Sequence, residues 1–218
     1  SGIRAALSIR GIDDVNVMAW AGDGGTFDIG LQALSGAAER NEDILYCCYD
    51  NEAYMNTGIQ RSSSTPWGAW TTTTPAGRPE QTPKKDILAI LAAHRIPYAA
   101  TASVAYPADL IEKVTKAKSI RGTRFIHILS PCPPGWKSAD EESILLARMA
   151  VQNRIFPLVE VEDGARWRFT LDHAGDPVEP YIRKQGRFRH LDGDAILKIQ
   201  SDVDTRWEVM KKRVEHGT

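Results

Sequence analysis

The chain has 218 residues, 42% of them hydrophobic and 25% charged, a balance that places it among folded globular chains and excludes disordered, collagenous and low-complexity classes. Its 27 Lys and Arg nearly cancel its 28 Asp and Glu, for a formal charge of -1, so it carries no global electrostatic footprint for nucleic acid or an anionic membrane, and any anion it binds must be held by a local site. Three cysteines are too few for a disulfide framework and no run approaches the ~20 apolar residues of a membrane span, so a reducing, cytoplasmic setting is expected.

The opening residues Ser1 to Arg10 carry neither an initiating Met nor a leader and read as the tail of a helix, which leads us to expect a piece of a longer or processed polypeptide. A short apolar strand follows over Val15–Trp20 and runs into Ala21-Gly22-Asp23-Gly24-Gly25. Phe27, Ile29, Leu31, Leu34, Ala37 and Ala38 then recur at roughly helical spacing up to Arg40, and Ile44–Tyr49 is a continuous apolar strand. Together these segments make a βαβ unit. The stretch from Asp50 to Pro83 is rich in Ser, Thr, Gly and Pro; so long a loop inside a compact domain is either functional or disordered.

Regular structure resumes with a helix over Lys84–Arg95, whose apolar face is Ile87, Leu88, Ile90 and Leu91. Strand Tyr98–Ala102, helix Pro107–Lys118, strand Arg124–Leu129 and a helix from Ser138 to Asn153 come next. This alternation predicts an α/β fold, a mostly parallel sheet with helices on both faces, whose ligands collect at the carboxyl ends of the strands. Asp163-Gly164 between Pro157–Glu162 and Ala165–Thr170 signals a two-residue hairpin. The last helix, Asp194–Glu215, should bury Ile196, Leu197, Ile199, Val203, Trp207, Met210 and Val214. We therefore expect an α/β domain over residues 1–155 and, over 156–218, a hairpin and helix extension packed on that domain or on a partner.

Gly22-Asp23-Gly24 stands where a strand gives way to a helix. Glycines there let the backbone approach a ligand, and the helix start offers free amides to a phosphate. Asp23 would repel a phosphate unless a cation intervenes, and Mg2+ is the natural mediator because it takes carboxylate, carbonyl and phosphate oxygens together. The tripeptide alone reads better as an ordinary strand-to-helix turn, since such tripeptides are common. What changes the reading is Asp50-Asn51-Glu52-Ala53-Tyr54-Met55-Asn56-Thr57-Gly58, which begins where the next strand of the same unit ends; 26 residues, Gly25 to Asp50, separate the triplet from Asn51.

Gly-Asp-Gly, a spacer of this size and then Asn resembles the thiamine diphosphate signature. The resemblance implies Mg2+ held by Asp23, Asn51 and the Ala53 carbonyl, and a cofactor surface including Gly22, Gly24, Gly25, Tyr54, Asn56 and Thr57. The text from Ala21 through Pro75, together with Ser130-Pro131-Cys132-Pro133 and Gln185-Gly186-Arg187-Phe188-Arg189-His190-Leu191, looks like the β subunit of pyruvate synthase, among the 2-oxoacid:ferredoxin oxidoreductases. Such enzymes oxidatively decarboxylate a 2-oxoacid to an acyl-CoA and pass electrons through iron–sulfur clusters to ferredoxin.

For this chain the resemblance implies pyruvate as substrate and an α subunit that supplies the pyrimidine-activating Glu and the substrate contacts. It further implies γ and δ subunits or fused domains, and Cys132 as one ligand of a [4Fe-4S] cluster whose other ligands are not in these residues. Asn56 is either a donor to the substrate-derived oxygen or a turn-stabilising residue. Arg61, beside Ser62, Ser63 and Ser64, either contacts an anionic substrate or a neighbouring subunit, or is a solvated loop charge. Cys47 and Cys48 read as core, and His94, His127, His173, His190 and His216 are too scattered for a metal cage. The competing functions are another 2-oxoacid such as oxalate, a non-oxidative thiamine-dependent decarboxylase, and a non-catalytic interaction subunit that keeps the fold.

Overall fold

The apolar runs at Leu45–Asp50, Tyr98–Ser103 and Arg124–Leu129 become neighbouring strands of one sheet. In the computed structural model, which describes residues 1–216, helix α1 (Gly2–Ile9) leads to strand β1 (Met18–Gly22), helix α2 (Leu31–Glu39) and strand β2 (Leu45–Asp50). After the long loop come α3 (Ile87–Ala93), β3 (Tyr98–Ser103), α4 (Pro107–Ser119), β4 (Arg124–Leu129), the short α5 (Pro133–Trp136) and α6 (Ser143–Gln152). The hairpin β5 (Leu158–Glu162) and β6 (Arg166–Leu171), then α7 (Glu179–Arg183) and α8 (Gly193–His216), complete the chain.

The strand order is β1-β2-β4-β3-β5-β6. The first four strands are mutually parallel, and β5 joins antiparallel to β3, so the hairpin continues the sheet itself at its far edge. Strands β3 and β4 are buried at every position, as expected of parallel strands covered on both faces.

Alternation along the strands divides the core. Cys48, Ala99 and Phe125 face α2, α3 and the end of α8, whereas Cys47, Ala100 and Ile126 face α4. The adjacent cysteines thus serve opposite faces, and burial pushes both thiols up, Cys47 to about 11. A third cluster, built around Trp136, Leu146, Tyr181 and Phe188, closes the carboxyl end of the sheet.

Several boundaries move for local reasons. Strand β1 begins at Met18 because Val15 is tied back by its carbonyl, which accepts from Arg4 at 3.1 Å. The helix expected from Phe27 starts only at Leu31, since Gly24–Asp28 forms a π-helical turn, and Ile29 is left 86% exposed. The helix expected from Ser138 is a 3-10 turn over Asp140–Glu142 followed by α6. In α8 Ile196, Val203 and Trp207 are buried, but Leu197 is 68% exposed, because one residue's rotation carries it off the apolar stripe. Asp163 and Gly164 take positive φ, 50 and 69 degrees, as a tight hairpin turn requires, while pairing begins at Glu162 and Arg166 and leaves Ala165 in the loop.

Candidate cofactor and cation site

Asp23 follows the last residue of β1, and Asn51 follows the last residue of β2. Because these strands are parallel neighbours, with Gly22 beside Tyr49, the two side chains leave the sheet together. The Asn51 side-chain oxygen lies 3.0 Å from Asp23 Oδ1 and 2.8 Å from the Ala53 carbonyl oxygen. With its oxygen inward the Asn51 amide faces two oxygen acceptors; turned over, it would donate to both. Adjacent oxygens around an octahedral Mg2+ at ~2.1 Å are separated by about 3.0 Å. The Asn51 oxygen is therefore spaced from each of its two neighbours as adjacent oxygens around Mg2+ are, and all three are hard oxygens. Among the described residues there is no group of three or more His, Cys, Asp or Glu that could hold a metal.

Asp23 is 1% exposed and accepts at Oδ2 from Ser62 Oγ. Burial, and after it the charge of Asp50, push its carboxyl up to about 8. Burial thus favours the neutral acid at Asp23, and a cation beside it would favour the ionised form.

The residue between the two Asn51 and Ala53 donors has an unusual backbone. Glu52 has φ of 68 degrees, the left-handed region, and each of its polar groups is held. Asp50 Oδ1 accepts from its N–H at 2.9 Å, and Thr65 Oγ1 donates to its carbonyl at 2.8 Å. Lys84 and Arg187 donate to its two carboxylate oxygens at 2.9 and 2.6 Å. Asp50 is fully buried; it also accepts from Ser64 and Lys84 and pairs with His127 Nε2 at 2.6 Å. Against burial, the Lys84 ammonium and the His127 contact hold the Asp50 carboxyl below the usual range, and Asp50 and Glu52 hold Lys84 above its own.

The serines of the long loop supply this network's donors: Ser62 to Asp23, Ser63 to Asp28 and Ser64 to Asp50. The loop is therefore a packed wall of the site, and its Pro, Gly and Ser content reflects turns and donors. A cavity of about 400 Å³ lies behind it, reaching Glu52, Lys84 and Arg187 from the side of α8.

Of the residues singled out from sequence, Asp23, Asn51 and Ala53 are brought together. Gly22 lies against the Tyr49 ring, 3.5 Å from where its Cβ would stand. Gly24 lies under Tyr54 so closely that a Cβ would come within 2.2 Å of the ring, and the Tyr54 hydroxyl donates to the Gly24 carbonyl at 3.0 Å. Gly25 is exposed and has no close neighbour on its open side.

Asn56 and Thr57 stand in an exposed turn, with Thr57 bonded to Gln60. Arg61 pairs with the buried Glu80 at 2.6 Å, so it braces the loop internally. Cys132 is half-buried at the start of α5, whose Trp136 indole N–H donates to the Asn51 carbonyl at 2.9 Å and ties the Cys132 loop to the oxygen trio. His127 is a buried partner of Asp50, packed edge-on against Phe27 and Phe156.

The residues that sequence reasoning missed are Glu52, Lys84 and Arg187. Glu52 and Arg187 lie inside motifs quoted above, but nothing in the linear pattern joins positions 52, 84 and 187.

Residues 1–128 match the family described as thiamine pyrophosphate enzyme, C-terminal TPP binding domain. The chain is 51% identical over 226 residues to the ketoisovalerate oxidoreductase subunit VorB of Pyrococcus furiosus, an alignment covering 99% of this chain and 72% of that protein. It is 53% identical over 209 residues to the pyruvate synthase subunit PorB of Methanothermobacter thermautotrophicus, covering 94% and 72%. A 2-oxoglutarate:ferredoxin oxidoreductase from Magnetococcus marinus shares the fold, with a TM-score of 0.55, 23% identity, and coverage of 66% of this chain and 55% of that one. No helix among the described residues is long and apolar enough to cross a membrane. With the oxygen trio at the strand ends, the parallel sheet and near full-length identity of about half, the chain belongs to the thiamine pyrophosphate-binding β subunits of the 2-oxoacid:ferredoxin oxidoreductases.

Proposed function

We propose that this chain holds the diphosphate end of thiamine diphosphate through Mg2+ in a cytoplasmic oxidoreductase that converts pyruvate, coenzyme A and oxidised ferredoxin to acetyl-CoA, CO2 and reduced ferredoxin. The observation that carries the cation assignment is the Asn51 side-chain oxygen standing 3.0 Å from Asp23 Oδ1 and 2.8 Å from the Ala53 carbonyl oxygen. Asp23 supplies the charge, and the two neutral oxygens fix the direction of approach. Gly22, Gly24 and Gly25 shape the turn beside the cation, at the start of the π-helical turn Gly24–Asp28. Thiamine diphosphate, when bound, supplies the carbanion chemistry that releases the carboxylate of the 2-oxoacid.

In this reading Tyr54, Asn56 and Thr57 line the approach to the cofactor, with Asn56 donating to the substrate-derived oxygen. Cys132 ligates a [4Fe-4S] cluster whose remaining ligands lie outside these residues, and it is wired to the trio through α5. An α subunit contributes the Glu that activates the pyrimidine, and γ and δ subunits or fused domains carry electrons onward. The expected outcome of Asp23→Ala in the assembled enzyme is loss of Mg2+-dependent thiamine diphosphate binding, measured by calorimetry. Affinity equal to that of the unmodified enzyme would overturn the assignment.

A second reading is favoured by the 51% identity to the subunit named for ketoisovalerate: a branched-chain 2-oxoacid in place of pyruvate. Initial rates with the two acids decide between them. A kcat/KM at least tenfold higher for pyruvate is expected, and the reverse order assigns the branched acid.

A further inference from the structure

We infer that Glu52 is a positioning residue that sets the cation-binding oxygens, an inference that rests on the assignment of Asp23, Asn51 and the Ala53 carbonyl to Mg2+. Glu52 stands between two of the three donors, so its backbone angles decide how the Ala53 carbonyl is aimed relative to Asn51. Those angles are left-handed, with φ of 68 degrees, a conformation that side-chain-bearing residues disfavour and that must be held from outside.

Four bonds do the holding. Asp50 grips the N–H, Thr65 the carbonyl, and Lys84 and Arg187 the carboxylate, at 2.9, 2.8, 2.9 and 2.6 Å. The Glu52 side chain is 3% exposed, and both its oxygens are committed to cationic side chains, so it acts through the backbone without itself being a cation ligand. The grip extends to the other donor. The Arg187 guanidinium lies 4.1 Å from the centre of the Trp136 ring, and the Trp136 indole donates to the Asn51 carbonyl. One buried cluster, gathered from residues 52, 84, 136 and 187, thereby fixes the peptide groups on both sides of Glu52.

A purely electrostatic role, in which Glu52 only neutralises Lys84 and Arg187, makes a different prediction about the backbone. The test uses the assembled oxidoreductase with thiamine diphosphate and with Mn2+ in place of Mg2+, free and bound Mn2+ being read by electron paramagnetic resonance. Glu52→Ala should weaken Mn2+ binding about tenfold or more. Glu52→Gly should bind about fivefold more tightly than Glu52→Ala, because glycine takes the left-handed angles at no steric cost. Glu52→Gln, which keeps the size and polar contacts of the side chain, should assemble, bind several-fold more weakly than the unmodified enzyme and alter the Mn2+ spectrum.

Asp23→Asn is the reference, expected to abolish binding. If Asp23→Asn binds Mn2+ normally, the Mg2+ assignment itself fails. If Asp23→Asn abolishes binding while Glu52→Ala and Glu52→Gly bind equally, positioning by Glu52 is wrong and the assignment stands. Should the alanine and glycine variants not assemble, Glu52→Gln decides: unchanged affinity with an unchanged Mn2+ spectrum overturns the proposal.

Discussion

At the scale of single residues, Asp23 carries the most chemistry. Burial and Asp50 raise its carboxyl to about 8, so in the metal-free protein it holds a proton through the neutral range. On the proposed assignment Mg2+ must displace that proton. Mg2+ affinity of the assembled enzyme should therefore fall about tenfold for each pH unit below pH 8, as read by calorimetry across pH 6 to 8. The sign for stability follows from the same shift. An unfolded Asp loses its proton near its ordinary value of 3.8, well before the folded one does, so the contribution of the protonated Asp23 is fully present below that pH. It is lost as pH rises toward 8. Metal-free thermal stability should decline over that window, and saturating Mg2+ should restore it.

Asp23 and Asn51 were legible because residue type and a fixed spacer suffice to state them. Glu52 was not, because its importance lies in a backbone angle and in two cations that arrive from 32 and 135 positions away.

At the scale of elements, the strands were more legible than the helices. Strands β2, β3 and β4 fall within one residue of the apolar runs that announce them, because burial on both faces leaves few polar positions. The segment after Gly22 was misread because a π-helical turn carries no periodicity of its own, and the start of α6 because a 3-10 turn imitates the first turn of a helix. The hairpin was read correctly in kind, and its glycine has a second reason to be there. A Cβ on Gly164 would lie 2.2 Å from the Ala92 carbonyl oxygen and 2.7 Å from Arg95 Cα, at a φ of 69 degrees. The turn thus rests directly on the end of α3. Gly164→Ala should destabilise the fold by about 2–3 kcal/mol, since neither backbone atom can give way cheaply and the angle disfavours a side chain. Urea unfolding of the chain, with attention to the midpoint, is the measurement.

At the scale of the whole molecule, one sheet carries the site at the carboxyl ends of β1 and β2 and ends at its far edge in the antiparallel hairpin, braced by α8 through the stacking of Trp207 on Phe169 at 4.4 Å. At its other edge β1 stands unpaired on one side, with Met18 and Trp20 more than half exposed. The Cys132 loop reaches the proposed cation oxygens through Trp136, so a change at the proposed cluster ligand need not disturb the proposed cofactor site if α5 is preserved. Cys132→Ser in the assembled enzyme should therefore lower the iron–sulfur absorbance and abolish ferredoxin reduction while thiamine diphosphate affinity stays within about twofold. An unchanged visible spectrum would remove Cys132 from the cluster.

What the sequence by itself determined was the alternation of buried strands with amphipathic helices and the pairing of Asp23 with Asn51 across 26 residues, because both are local periodicities or fixed spacings of chemical type. Only the tertiary structure decided how the trio is held. Lys84 and Arg187 meet on Glu52, whose backbone is left-handed, the serines of the long loop become donors to buried carboxylates, and Arg61 is taken up by Glu80. Those contacts join residues with no common period, and they exist because buried charges must find partners wherever the packed chain brings them.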